Sequence, residues 1–511
     1  MNVLKSILLA GGATVVVAAA AHAADLPTKK APPAAPPVNC YASFLTWLDS
    51  TPVDCPLSLG PLTLYGAIDV GGGYETNGAK FNDYYTSGVS ELISKQSNGS
   101  KWQWVPNGFT QSNIGVKLKQ PLFGDVSLVG DVNFGFDPYS LQFANGPASL
   151  ASNNLTPAYF QSANGDSSRS GGFDNSRGYA GFSSPTYGTL TYGRQNSLEN
   201  TLETLYDPTG ASYAFGMVGA SSTLTAGDGD TETARYNESI EYIYDYQKIA
   251  HVGAIYQIGG YDQGNGAQEA YQVNVGGTYA GFSLDGVYAY AKDAVQLSAY
   301  GGTSAPAPYD LKATLADINA FTVLGKYQWQ QWQVFGAYQN ARLSNPSDNF
   351  PGGISNTIGI PNYSVVYSGL STTSYTINKV LQTAWTGVKY SVNPQLDLTG
   401  AFYDAWQNNY SGAACVANTV GISGAPKGTP SQGTNTVANN DYNNGPGKSL
   451  GKAVGNCAGN EPVVSFLVDY RPFKRVDTYA GVMFSSVSGG LANGYIKTNN
   501  AAFTGGVRVS F

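Results

Sequence analysis

The feature that most constrains the fold is an alternation of apolar and polar residues, which recurs in separate segments up to the end of the sequence. In the first segment Leu62, Leu64 and Ile68 fall on one face, and polar residues such as Asp69 fall on the other. A period of two residues is that of a β-strand. Repeated strands of about ten alternating residues are typical of transmembrane barrels. The sequence therefore predicts an all-β fold, a transmembrane antiparallel β-barrel over residues 62–511.

The connections between these segments are short and long in turn. Short polar turns are predicted at Leu122–Asp125, Ser184–Gly188, Asp245–Ile249, Ala280–Gly281, Gln330–Gln331, Asn393–Gln395 and Arg471–Arg475. Between them lie long stretches rich in Gly, Ser and Asn, the longest from Asn408 to Glu461. Outer-membrane barrels have short periplasmic turns and long external loops. We therefore expect 16 strands, with both chain ends in the periplasm.

The composition fits a chain with one face in lipid and the other in water. Only 12% of the residues are charged, fewer than in ordinary soluble domains. Aromatic residues near strand ends, such as Tyr327, Trp329 and Trp332, suit the girdles at membrane interfaces. The formal net charge of −7 argues against a nucleic-acid partner. The expected partners are outer-membrane lipid and lipopolysaccharide.

Residues 1–23 have the layout of a secretory signal peptide. Lys5 precedes an apolar run from Ile7 to Ala20, and the small residues Ala21 and Ala23 follow. The alternative is a membrane anchor, but the run is shorter than the roughly 20 residues needed to span a bilayer. We therefore expect export to the bacterial outer membrane.

Residues 24–61 are predicted to form an N-terminal periplasmic extension. Its first part, Asp25–Pro37, is rich in proline and has the composition of an extended spacer. The part that follows contains Cys40 and Cys55, with apolar residues between them. These apolar side chains pack either locally or against the periplasmic rim of the barrel, and the sequence leaves both possibilities open.

The four cysteines are predicted to form two disulfides. An even count in an exported chain favours the pairs Cys40–Cys55 and Cys415–Cys457, the second within the long loop. Metal binding is the alternative, but CxxC spacing and a nearby histidine are both missing. We therefore expect no metal site.

A catalytic role is not expected. His251 is the single histidine after the signal peptide, and no second group that could orient its imidazole is evident around it. The sequence thus predicts a protein that is not an enzyme and has no cofactor.

One loop segment carries a group of acidic residues. The fifth strand, TLTYGRQ (Thr189–Gln195), is followed by Glu199, Glu203 and Asp207, and the sixth strand is TARYNESIEYIY (Thr233–Tyr244). These stretches resemble the general porins of Gram-negative bacteria, whose third external loop follows a YGR-type strand end. The resemblance covers residues 62–511 in layout, and the spacer is similar to that of alphaproteobacterial porins.

The resemblance implies a homotrimer in which the acidic loop folds into each lumen as a constriction. In the family the loop faces a basic barrel wall, and three residues match that wall by position: Arg177, Arg194 and Arg235. Alternation places Arg177 and Arg235 on the lumen face, and Lys117 also points inward if Ile114, Val116 and Leu118 face lipid. Ala67 and Asn113 occupy positions where the family often has basic residues. We call the narrowest part of the channel, at this constriction, the neck. Carboxylates at the neck that face fewer basic residues on the wall imply a mild preference for cations.

The leading functional hypothesis is a general diffusion porin, a water-filled channel for small hydrophilic solutes and ions. One alternative is a substrate-specific channel for sugars or organic acids. Another is a surface adhesin or receptor, in which the loop between Cys415 and Cys457 binds a partner. The terminal Phe511 resembles the signal that the barrel-insertion machinery reads in outer-membrane barrels.

Overall fold

The computed structural model describes residues 40–78, 92–93, 99–139, 174–217, 235–257, 267–297, 311–344, 377–410, 457–492 and 497–511. The 16 barrel strands, numbered β1 to β16 in chain order, form one antiparallel sheet. Their bounds are Leu62–Glu75, Asn113–Phe123, Val126–Gly135, Asp174–Ser184, Gly188–Asn196, Arg235–Tyr246, Ala250–Gln257, Ala267–Tyr279, Phe282–Leu297, Leu311–Trp329, Trp332–Ser344, Lys379–Asn393, Leu396–Gln407, Gly459–Phe473, Val476–Ser486 and Asn499–Ser510. Because β16 pairs with β1, the sheet closes, and the predicted barrel is confirmed.

Seven tight connections join strand pairs from β2–β3 to β14–β15, where the sequence predicts short turns. Several contain residues in the left-handed region, such as Gly124, Ala280, Gly281 and Gln330, with φ of 54°, 49°, 82° and 52°. Turns with positive φ match the right-handed twist of the flanking strands. We call this edge of the barrel the short-turn end, and the opposite edge the loop end.

The two faces of the sheet differ as the alternation predicts. Apolar side chains such as Leu62, Ile68 and Phe321 are exposed on the outside, and Trp329 and Trp332 are exposed beside a turn at the short-turn end. The inward positions carry mainly polar or small side chains. Among the described residues, no helix is long or apolar enough to cross a membrane.

The terminal residue takes part in barrel closure. The Phe511 backbone N–H donates to Gly66 O at 2.9 Å, and Gly66 N–H donates to Phe511 O at 3.0 Å. Glycine is needed opposite the ring, because a Cβ on Gly66 would lie 2.6 Å from Phe511 Cζ. Recognition of Phe511 by the insertion machinery stays a prediction.

The described part of the N-terminal extension folds at the short-turn end. It contains helix α1 (Phe44–Leu48) and the Cys40–Cys55 disulfide, which confirms the first predicted pair. The signal peptide, the Pro-rich spacer and Cys415 lie outside the described residues, so the second pair stays a prediction. Cys457 itself is buried.

One arginine attaches this extension to the barrel. Arg475, in the turn between β14 and β15, is fully buried. Its guanidinium donates to Trp47 O at 2.9 Å, Thr51 O at 3.1 Å and Cys55 O at 2.7 Å. The extension is therefore attached to the rim of the barrel through its backbone, whereas the side chains of Phe44 and Leu45 are exposed.

Candidate channel constriction

The segment after β5 runs inside the barrel, and we call residues 197–217 the lumenal segment. It begins with helix α2 (Leu198–Tyr206), which Ser197 caps by accepting the Asn200 N–H at 3.1 Å. Serine favours this position because its hydroxyl pairs with an otherwise unpaired backbone donor. Pro208, two residues after α2, cannot continue a helix. The sequence thus sets both ends of α2.

Apolar side chains hold α2 against the inner wall. Leu198 belongs to one buried cluster with Ile255 of β7 and Ala270 of β8. Leu202 belongs to another, which includes Leu324 of β10. Burying a leucine side chain contributes about 1.5–3 kcal/mol relative to exposing it. The lumenal segment is therefore packed onto one side of the barrel interior.

The carboxylate of Glu199 faces this wall rather than the open lumen. It accepts hydrogen bonds from the Thr322 hydroxyl and from Gln339 Nε2, the latter at 2.5 Å. Gln339 Nε2 also donates to Glu203 Oε1 at 3.3 Å. The Glu199 N–H donates to Gln272 Oε1 at 2.9 Å. The two glutamates thus help to attach α2 to β8, β10 and β11.

Asp207 closes the turn that follows α2. Its Oδ2 accepts from Thr209 N–H at 2.9 Å, Thr209 Oγ1 at 2.6 Å and Ala211 N–H at 2.8 Å. Its Oδ1 accepts from the Tyr403 hydroxyl of β13 at 2.6 Å. Burial raises the pKa of the Asp207 carboxyl, while these hydrogen bonds act in the opposite direction.

The orientation of these carboxylates differs from the sequence-based expectation. Glu199, Glu203 and Asp207 are 0%, 3% and 2% exposed, although the sequence predicts that they face the basic wall across the lumen. The helical period puts both glutamates on the same face as the buried leucines. The exposed side of α2 carries the neutral residues Thr201 and Thr204.

A second group of contacts, not predicted from the sequence, holds the end of α2. The Tyr206 hydroxyl donates to Asp285 Oδ2 at 2.5 Å, and His251 Nε2 lies 2.6 Å from Asp285 Oδ1. Lys326 Nζ donates to Leu205 O at 3.2 Å, where a cation complements the helix dipole. The short approach of Tyr206 to β9 depends on the tertiary fold and leaves no pattern in the sequence.

Lys117 and Arg177, two of the predicted wall cations, meet at one tyrosine on the inner wall. Arg177 donates to the Tyr65 hydroxyl at 3.1 Å and forms an ion pair with Asp131 at 3.4 Å. Lys117 Nζ lies 4.5 Å from the centre of the Tyr65 ring. Asp131 also accepts from the Tyr65 hydroxyl at 2.5 Å. The predicted inward orientation of Lys117 and Arg177 agrees with these contacts.

Ala67 and Asn113 leave a neutral patch beside this group. They are cross-strand partners on β1 and β2. Asn113 Oδ1 accepts a hydrogen bond from Asn133 Nδ2 at 3.1 Å. At these two positions, where the family often has basic residues, the wall of this barrel is neutral.

Arg194 and Arg235 are not brought into this group. Arg194 is half-buried at an irregularity in the pairing of β5 with β6. On β6, Glu238 has a φ of 48°, and Tyr236 and Ser239 are both buried although their numbers differ by three. This extra residue shifts the alternation, so Tyr236 takes the inward position that unbroken alternation assigns to Arg235.

Comparison with known proteins places the chain in a family. The sequence profile of the Gram-negative porins matches residues 10–490. Two similar solved structures are the anion-selective porin from Comamonas acidovorans and outer-membrane expressed OmpT of Vibrio cholerae. The first is 13% identical, with a TM-score of 0.52, and the match covers 88% of this chain and 99% of that chain. The second is 12% identical, with a TM-score of 0.50 and coverage of 89% and 100%.

These structural matches show a shared fold, and no curated protein sequence matches the chain. In the described ranges, no three or more His, Cys, Asp or Glu residues are arranged to hold a metal ion. The profile match covers most of the chain, and its description agrees with the closed barrel seen here. The protein therefore belongs to the Gram-negative porin family and is located in the outer membrane.

Proposed function

We propose that this porin is a general diffusion channel for small hydrophilic solutes and ions, narrowed by the lumenal segment. The observation that carries the proposal is the attachment of residues 197–217 to the inner wall of a closed barrel. Barrels of 16 strands are wide enough to enclose an aqueous channel. The lumenal segment occupies part of that width, and the exposed side of α2, with Thr201 and Thr204, faces the water in the channel.

The proposed selectivity is a weak cation preference, as the sequence predicts. The wall carries both signs in close pairs, such as Arg177–Asp131 and Arg508–Asp477. Close pairs cancel much of each other's field at a distance. The Glu199 carboxylate accepts hydrogen bonds from Thr322 and Gln339 on the inner wall. In this proposal the lumenal segment adds negative charge to the neck without exposing its carboxylates to solutes.

Neutralising these carboxylates is expected to weaken the cation preference. The reversal potential in a potassium chloride gradient should shift towards the anion value in the Glu199→Gln and Asp207→Asn variants. Lowering the pH should shift it in the same direction, because the raised pKa makes Asp207 lose its charge at a higher pH than an ordinary aspartate. Exposed Asp125, in the turn between β2 and β3, provides the control Asp125→Asn, for which no shift is expected.

An unchanged reversal potential in both folded variants would remove the lumenal segment from the selectivity proposal. Saturable block of the current by one sugar or organic acid would instead favour a substrate-specific channel. An adhesin role for the long loop would need a partner that binds while conductance is kept. The proposal includes no catalytic step.

We also propose a homotrimer embedded in outer-membrane lipid and lipopolysaccharide. The support is membership of the porin family, together with the exposed apolar outer face of the barrel. Chemical cross-linking in native outer membranes should give a trimeric species. A monomer as the only cross-linked species would contradict this part of the proposal.

A further inference from the structure

A second segment turns into the barrel beside β1, and we call residues 107–112 the inner turn. It follows a short strand, Lys101–Pro106, which pairs with the part of β1 nearest the loop end, whereas β2 pairs with the part nearest the short-turn end. Asn107 has a φ of 60° and accepts the Ser112 N–H at 2.8 Å. Both residues are fully buried. The inner turn is therefore packed within the interior of the barrel.

Asp69 of β1 fixes the position of the inner turn. Its Oδ2 accepts the backbone N–H groups of Phe109 and Thr110, both at 2.7 Å. Its Oδ1 accepts the Tyr479 hydroxyl of β15 at 2.6 Å. Asp69 is fully buried. Hydrogen bonds to an ionised acceptor are stronger than those between neutral groups, and here they connect two strands and the turn.

The inner turn in turn holds the far part of the lumenal segment. Gly108 O accepts the Ala214 N–H at 2.8 Å and the Ser212 hydroxyl at 3.0 Å. Phe215 is fully buried and meets the Tyr479 ring edge-on, with centroids 6.0 Å apart. The Phe109 ring of the inner turn stacks on the same tyrosine at 5.2 Å. The two segments therefore share one anchor on the wall.

Glycine in the wall makes room for this contact. A Cβ on Gly481 of β15 would lie 2.6 Å from a ring carbon of Phe215. A Cβ on Gly387 of β12 would lie 2.3 Å from Pro208 Cγ. Close packing of this kind has little tolerance for added atoms. The wall is thus shaped to receive the lumenal segment at two separate places.

We propose that Asp69 is a positioning residue of the channel, which acts through the inner turn to fix the far part of the lumenal segment. The α2 part is attached to strands β7 to β13, and the residues around Ser212 are attached by way of Gly108 to β1 and β15. Because the lumenal segment is attached at both places, it cannot move away from the wall, and the neck keeps one width. This inference rests on the proposed function, because it requires that the lumenal segment narrows a conducting pore.

The test is single-channel recording of the Asp69→Asn and Ser212→Ala variants of the full chain in planar bilayers. Asparagine keeps one acceptor oxygen but loses the charge, and alanine removes one of the two bonds to Gly108. We expect open-channel current noise and subconductance steps to rise several-fold in Asp69→Asn, with a smaller rise in Ser212→Ala. Liposome swelling should show a higher relative rate for larger sugars.

Asp397→Asn is the matched control, since Asp397 is also a buried, inward aspartate but contacts Arg471 at 2.9 Å instead of the inner turn. Its noise should equal that of the wild type. A purely structural role for Asp69 would lower the melting temperature and leave the noise of the folded channel unchanged. Wild-type noise in both folded variants would overturn the inference, and Ser212→Ala decides it if Asp69→Asn does not fold. Absence of current from the folded wild type would instead contradict the proposed function.

Discussion

Replacing residues 197–234 with a turn of about four residues is expected to raise the single-channel conductance several-fold. Asn196 and Arg235 are cross-strand partners, so a short turn can join β5 directly to β6. The replacement removes the whole lumenal segment and leaves the width of the barrel to limit the current. Permeation of large sugars into liposomes should increase more than permeation of small ones.

The same replacement exposes the apolar wall side chains that α2 covers, among them Ile255 and Leu324. A lower melting temperature is therefore expected, and circular dichroism has to show that the barrel is folded. If the folded barrel without the segment had the same conductance as the wild type, that result would contradict the account. Such a result would mean that another part of the chain limits the pore.

The second large effect is expected for the pair of substitutions Thr322→Val and Gln339→Leu. They remove both donors that contact Glu199 Oε1, so the buried carboxylate has fewer hydrogen bonds to offset its loss of hydration. Removing the partners of a buried charged group costs about 3–5 kcal/mol. We expect a loss of that order in the free energy of unfolding, measured with urea in detergent micelles.

Adding Glu199→Leu to this double variant is expected to restore most of the lost stability. Replacing all members of a buried polar group by apolar residues of similar size can be nearly neutral. The cycle thus separates the cost of taking these two donors away from the Glu199 carboxylate from the cost of altered packing. A triple variant no more stable than the double variant would show that the Glu199 carboxylate is not what these donors stabilise.

The architecture follows from information that is local in the sequence. Alternation of apolar and polar residues assigns side chains to faces, and the tight turns lie where two or three polar or small residues interrupt it. Closure through Phe511 and Gly66 is consistent with alternation that continues to the last residue. The alphaproteobacterial type of the porin stays a prediction.

The position of the constriction in the chain could be predicted from the sequence, but the direction in which its carboxylates point could not. A YGR-type strand end and three carboxylates point to residues after β5, and those residues do lie inside the barrel. The donors to Glu199 come from β10 and β11, more than a hundred residues later, and nothing local in the sequence connects them. Arg235 shows a further limit, because one extra residue near Glu238 reverses the alternation.

The position of the inner turn could have been predicted from the sequence. Asn107–Gly108 is a dipeptide that marks turns, and Asn107 adopts the positive φ that asparagine tolerates. Its attachment to Asp69 was not evident, because a single aspartate in an alternating strand looks like any other inward polar residue. The role of Arg475 in attaching the N-terminal extension was not evident either, because charged residues are common in turns.

Planar-bilayer recording of the purified, folded full chain tests the central claim most directly. A general diffusion channel with a fixed neck should give large, long-lived current steps that increase linearly with voltage and with salt concentration. The steps should have one predominant size and weak selectivity between cations and anions. Protein that is folded by circular dichroism and inserted in the bilayer, yet passes no current, would contradict the account.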